Sequence, residues 1–332
     1  MTDAPRSKVL IGDARETVQS LADASIDMVL TSPPYFRLRN YRVSGQLGAE
    51  DHVDDWVTQL RAVAAEVARV LTPSGSFWLN VADTYSAHPR QGGASRSLLL
   101  GPERLLLTLQ ADGWLVRNKI VWAKTNPMPT SARTRFASTH ESLFLLTRSP
   151  SYFFDLDAVR VPHRSRPSTP PRRQAADHRA IWRGPNATGD NGLRALKAAG
   201  LPGHPLGKNP GDVWQLATSA YRGPHPATFP LPLAERAIQA GCPEAACVSC
   251  RQPWRRPLIR QLGGSAVRGA LAATCGCAAG HRPGLVLDPF FGVGSTGLAA
   301  ERLGRDWLGI ELNPDFAREA AHRLPEARAG PK

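Results

Sequence analysis

Residues 31–35 read "TSPPY" directly after the apolar run "IDMVL". Proline limits its own φ and drives the residue before it toward extended backbone, so Ser32-Pro33-Pro34 is a stiff stretch at the carboxyl end of a strand. Pro33 has no N–H, but its carbonyl accepts a hydrogen bond, as does the Ser32 hydroxyl. With the aromatic face of Tyr35 beside them, two acceptors suit a planar ring that carries an amino group. In an open α/β sheet, that edge of the strands is where ligands sit.

A second chemical pattern lies far down the chain, in "LVLDPFFGVGSTGLAAERLGRDWLGIEL" (285–312). It reads as a strand, a glycine-rich turn, a helix and a second strand that ends on an acid. Gly292, Gly294 and Gly297 fit the G-x-G-x-x-G spacing, which permits a tight turn and close approach of backbone to ligand. Glu311 falls where a carboxylate can take both hydroxyls of an adenosine ribose. The pattern is that of a nucleoside cofactor site, and its spacing alone would also suit a dinucleotide.

The third pattern is cysteine. The chain has five, none before Cys242. "CVSC" (Cys247, Cys250) and "CGC" (Cys275, Cys277) frame 24 residues, a two-knuckle layout similar to a four-cysteine zinc ribbon, with His281 as an alternative ligand. Clustered cysteines in a cytoplasmic chain point to metal more than to disulfides. Cys242 reads as a packing residue, and "RQPWRR" between the pairs suits contact with a DNA backbone.

Short apolar strands alternate with amphipathic helices, which predicts an α/β sheet covered on both faces. Strands are expected at 8–11, 27–31, 76–81, "NKIVWAK", "ESLFLLT", 284–288 and 307–312. Helices are expected around 15–22, 54–71, 98–112, 231–241, 295–304 and 314–324. From about 160 to 225 the pattern dissolves into Pro, Arg and Gly, with one candidate helix near 191–199, and such a stretch supplies no core of its own.

"DPFFGVGSTG" resembles the S-adenosylmethionine-binding motif of amino-methylating DNA methyltransferases, and "SPPY" resembles their (Ser/Asp/Asn)-Pro-Pro-(Tyr/Phe) signature. By that resemblance Ser32, Pro33, Pro34 and Tyr35 are the expected catalytic residues: Ser32 and the Pro33 carbonyl hold the target amine, and Tyr35 stacks on an extruded base. "GDARETVQSL" (12–21) is similar to the short motif before the catalytic strand, which puts Asp13 near the cofactor adenine. "NVADTY" (80–85) resembles a loop in which Asp83 supports the cofactor, and Asp288, Phe290, Gly292, Gly294 and Glu311 complete the implied cofactor site. The segment "WAKTNPMPTSARTRFASTHESLFLLTRS" is similar to the one leading into target recognition, and "HPATFPLPLAERAI" to the stretch flanking the methionine end of the cofactor. Catalytic motif first and cofactor loop last is a circularly permuted order resembling the β group of these enzymes. The implied fold is a Rossmann-like class I methyltransferase sheet, circularly permuted, with a loop-rich recognition region and a small cysteine-rich insert.

The expected organisation is a catalytic half at 1–159, a target-recognition region at 160–225, a return to the methyltransferase domain at 226–246, a zinc-ribbon-like insert at 247–282 and a cofactor-binding half at 283–332. A formal charge of +13 favours a polyanionic partner. The excess is local: residues 158–225 carry eleven Lys/Arg against three Asp/Glu, and 247–282 carry six Arg and no acid. Double-stranded DNA is the expected partner, with a cognate restriction endonuclease as a possible second one and the chain a monomer or homodimer. There is no Pro-Cys dipeptide, so the thiolate attack of cytosine ring methylation has no obvious nucleophile, and direct transfer to an amine is expected. Serine at position 32 is commoner in the resembled family among cytosine N4 enzymes and aspartate among adenine N6 enzymes, which favours N4-methylcytosine. Adenine N6 methylation and an inert zinc-ribbon DNA-binding protein on the same fold are the competing readings. Neither a membrane span nor a signal peptide is indicated, and a cytoplasmic location is expected.

Overall fold

The structure, a computed structural model, describes residues 7–163, 204–219, 221, 223, 228–261 and 266–328. In chain order the strands are β1 (Lys8–Ile11), β2 (Ile26–Thr31), β3 (Leu71–Val81), β4 (Leu115–Lys124), β5 (His140–Thr147), β6 (Val213–Leu216), β7 (Ala245–Cys247), β8 (Leu258–Arg260), β9 (Ala266–Arg268), β10 (His281–Pro283), β11 (Leu285–Asp288) and β12 (Asp306–Glu311). The helices are α1 (Ala14–Thr17), α2 (Val53–Val70), α3 (Gly101–Ala111), α4 (Leu231–Gly241), α5 (Ser295–Arg302) and α6 (Pro314–Arg328).

Two compact units emerge: 1–155 with 211–255 and 273–332, and 156–210 with 256–272. In the first, eight strands form one sheet in the order β1-β12-β11-β2-β3-β5-β4-β6. β1, β12, β11, β2 and β3 run parallel, and β5 is antiparallel to both β3 and β4. In the second, β8 and β9 form an antiparallel pair, Val161 bridges Lys208, and Arg160 pairs with Asp157 at 2.6 Å.

The buried strands explain the apolar runs. Every residue of β2 and β11 is buried, because helices cover both faces of a parallel sheet. Side chains alternate across the sheet. Val29, Phe77, Phe144 and Leu287 share one core with Val53, Trp56, Leu60 and Val67 of α2 and with Leu105 and Leu109 of α3. Met28, Leu30, Trp78, Leu145 and Val286 are buried as well and alternate with those, facing the layer to which α4 contributes Leu233, Ala234, Ala237 and Ile238.

The seven expected strands and six expected helices are present, while the short strands β6 to β10 were not expected, and β6 adds to the main sheet beside β4 from within the stretch read as patternless. Two departures at element boundaries are informative. α2 passes into β3 with no loop, since Leu71 already pairs with Ile26. The next pair is Met28 with Ser76, so Thr72–Gly75 bulges out, which accommodates Pro73 and its missing N–H. α3 begins at Gly101 rather than 98 because Leu100 takes a left-handed conformation (φ 53°) that the helix cannot include. The candidate helix at 191–199, and most of the region 160–225, lie outside the described residues. No helix among the described residues is long and apolar enough to cross a membrane.

Candidate active site

β11 sits beside β2 although the two are at opposite ends of the chain, and their carboxyl ends are joined directly. The Thr31 hydroxyl donates to Asp288 Oδ1 at 2.6 Å across 257 positions of sequence. The Ser-Pro-Pro-Tyr turn and the glycine turn therefore open from neighbouring strand ends. Between them lies a cleft of about 360 Å³ lined by Ser32, Pro33, Pro34 and Tyr35 on one side and by Phe290, Gly292 and Glu311 on the other.

The turn after β2 is held from below. Trp56 Nε1, on the buried face of α2, donates to the Pro34 carbonyl at 2.9 Å. Tyr35 donates its hydroxyl to Glu141 Oε2 at 2.5 Å, and lies 3.0 Å from Ser32 Oγ. Burial, then the Glu141 charge, push the Tyr35 phenol well above its ordinary pKa, so it remains a donor. A phenol has one hydrogen, and Glu141 takes it; the Ser32 hydroxyl must then donate to the Tyr35 oxygen. What Ser32 presents to the cleft is an acceptor lone pair. Asn80 Nδ2 spans the cluster, at 2.8 Å from the Tyr35 oxygen, 2.8 Å from Glu141 Oε2 and 3.3 Å from Ser32 Oγ. Lys124 pairs with Glu141 Oε1 at 2.7 Å.

On the cofactor-loop side, Glu311 accepts the Gly292 N–H on one oxygen at 2.7 Å and the Asn313 N–H on the other at 2.8 Å. Each oxygen keeps a lone pair for a further donor. Gly294 takes φ +84°, and a Cβ on Gly297 would come within 2.7 Å of the Phe291 ring, which stacks on Trp307 with centroids 5.0 Å apart. Those two glycines serve the turn and its packing; neither lines the cleft.

Asp288 and Asp83 also lie behind the cleft rather than on it. Asp288 is buried and accepts from Thr31, from Thr296 Oγ1 at 2.6 Å and from the Phe290 N–H at 3.0 Å. Asp83 caps α3, accepting the Leu100 and Gly101 N–H groups at 2.9 and 3.1 Å. Asp13 does line the cleft, but Arg15 engages both of its carboxylate oxygens and holds its pKa below the ordinary value.

Burial raises the Asp288 pKa from 3.8 to about 6. The folded state then binds more protons than the unfolded one between about pH 4 and 6, so this group's contribution to stability falls as pH rises through that window. Asp288→Asn keeps the shape and removes the titration. Relative to wild type, the variant is expected to gain stability from pH 4 to 6, by at most about 3 kcal/mol, and to show a constant difference above that. Urea midpoints measured from pH 4.5 to 7.5 check this; parallel curves would contradict it.

The Sγ atoms of Cys247, Cys250, Cys275 and Cys277 lie within 4.8 Å of one another. β7 and β10 pair so that Cys247 faces His281, which is outside the cluster, its ring packed on Trp254 with centroids 4.3 Å apart. Next to it, Arg282 is buried against Asp27 of β2, with Nη1 2.7 Å from Oδ2. Cys242 is fully buried.

Comparison with known proteins gives these motifs a family. The N6/N4 methyltransferase family, described as DNA methylase, matches residues 26–322. The chain belongs to this family. It is 31% identical over 343 residues to the type II methyltransferase M.SmaI of Serratia marcescens, covering 97% of this chain and 91% of that one. It is 33% identical over 340 residues to the type II methyltransferase M.XycI of Xanthomonas campestris pv. cyanopsidis, covering 96% and 87%. The fold is similar to that of the cytosine-N4-specific PvuII DNA methyltransferase, with a TM-score of 0.58 and 18% identity over 99% of this chain and 95% of that one. A Thermus thermophilus protein solved with S-adenosyl-L-methionine gives a TM-score of 0.54 and 23% identity over 98% and 95%.

In this DNA methyltransferase, sequence reasoning missed Asn80, Glu141, Lys124 and Trp56. Asn80 interrupts the apolar run "SFWLNV" one residue before its end, and an amide inside a buried strand was a usable signal. Glu141 begins β5. Because β5 is antiparallel, its first residues reach the edge where the parallel strands end, which strand pattern alone does not reveal.

Proposed function

We propose that this methyltransferase transfers a methyl group from S-adenosylmethionine to the N4 amine of cytosine in duplex DNA. The observation that carries the reading is the polarity of Ser32: with the Tyr35 hydrogen committed to Glu141, Ser32 faces the cleft as an acceptor, which suits an amine N–H. Pro33 lines the cleft beside it and offers a carbonyl, never a donor. Ser32 in place of aspartate supports cytosine over adenine.

The residues fit the methyl donor. Glu311 is suited to the two ribose hydroxyls because both of its oxygens are already oriented by backbone N–H groups; Phe290 and Asp13 would lie along the same cleft. Held there, S-adenosylmethionine would supply an electrophilic sulfonium methyl for the amine nitrogen. The chain's part is to accept the amine hydrogens on Ser32 and Pro33, aim the nitrogen lone pair, and stabilise positive charge developing on nitrogen through Ser32, Tyr35 and the Glu141 carboxylate. The target base must leave the duplex stack to enter the cleft, and the Tyr35 ring is the surface offered to it.

The four cysteines fit a structural zinc ion. Tetrahedral zinc with Zn–S bonds of about 2.3 Å holds its sulfurs about 3.8 Å apart, a small contraction from the spacing present. The type II names of the relatives support a role as the protective half of a restriction–modification pair. The test is to incubate the protein with plasmid DNA and S-adenosylmethionine, digest to nucleosides and identify the product by mass spectrometry. N4-methylcytosine is expected. N6-methyladenine would overturn the reading of Ser32, and no product would overturn the activity.

A further inference from the structure

Phe136 is 97% exposed. It lies on the loop 125–139 between β4 and β5, and that loop is tied down at several points. The Lys124 N–H donates to the Thr139 carbonyl at 2.9 Å and closes its neck. Asn126 Oδ1 accepts the Thr218 N–H at 2.7 Å and fixes the first limb, from which Met128 lines the cleft. On the second limb the Arg135 guanidinium lies 3.9 Å from the centroid of the Tyr85 ring and donates to the Phe136 carbonyl at 3.1 Å. The backbone of Phe136 is thus held while its ring is left to water, an unfavourable arrangement for a large apolar side chain.

Position and charge say what covers it. Glu141 of the cleft is five residues on, so Phe136 lies within roughly 18 Å of it by chain reach. Arg133 and Arg135 precede the ring by three residues and one, and the loop has no acidic residue. An exposed apolar ring on a cationic loop suits insertion among stacked bases, with the positive charge of the loop near phosphates. We infer that Phe136 enters the duplex and fills the stacking space that the target base vacates. This rests on the reading that the base leaves the stack to be methylated.

The experiment compares two duplexes carrying the site mapped on methylated plasmid DNA, one fully paired and one with an abasic residue opposite the target. Turnover of the wild type on the paired duplex tests methyl transfer independently; the variant's ratio between the two duplexes tests the wedge. Phe136→Ala is expected to lose about tenfold in kcat/KM on the paired duplex and less than about threefold on the abasic one, where the base is already unpaired. Phe136→Trp should retain most activity on both, and thermal midpoints should not move, since the ring is exposed. Equal losses on the two duplexes, or no loss on the paired one, would overturn the inference.

Discussion

Replacing Ser32 by alanine is expected to lower kcat by about 10²- to 10³-fold, while duplex DNA affinity stays within about threefold because phosphate contacts dominate it. The reason lies in the wiring of the hydroxyl. Glu141 takes the Tyr35 hydrogen at 2.5 Å, which turns Ser32 into an acceptor toward the cleft. Alanine leaves the amine without that partner and the Tyr35 oxygen with Asn80 Nδ2, 2.8 Å away, as its remaining donor. Tyr35→Phe and Glu141→Gln break the same chain further back, so both should reduce kcat with little change in KM for DNA. Glu141→Gln also strips Lys124 of its counter-charge, 2.7 Å away. Should methylation and DNA binding fall together in Ser32→Ala, the assignment of Ser32 to the amine would be wrong.

The second large effect concerns the cysteines. The purified protein should carry one zinc per chain, and Cys275→Ser or a strong chelator should remove it. Cys275 is only partly buried, so the substitution itself opens no core cavity. What the metal would secure is the three-residue pairing of β7 with β10, and β10 carries Arg282 against Asp27 at the foot of the catalytic strand. Uncoupling that ion pair leaves a buried charge unpaired, at about 3–5 kcal/mol, which lowers the thermal midpoint by roughly 5 °C in a chain of this length. Metal analysis and calorimetry decide it: a metal-free protein whose melting is indifferent to Cys275→Ser would rule the zinc site out.

Local chemistry was legible in the chain. The proline turn after β2, the glycine turn after β11, the cysteine pairs, the helices and the expected strands rest on properties of a few consecutive residues: allowed φ angles, side-chain alternation, and the period of a helix. The short strands β6 to β10 had no such pattern. Even so, two residues marked by their motifs, Asp83 and Asp288, are hydrogen-bonded behind the cleft and do not line it. A motif places a carboxylate near a site; the backbone donors around it decide which way it turns. The folded sheet decided the rest. Periodicity tells which face of a strand is buried but not which strand lies beside it, so the Thr31–Asp288 bond across 257 residues had no trace in either segment. The Asn80–Glu141 contact, 61 residues apart, likewise exists only because an antiparallel strand starts where its parallel neighbours end. Hydrogen-bond polarity at Ser32 is of the same kind: a serine offers both a donor and an acceptor, and only the partners that tertiary packing supplies choose between them.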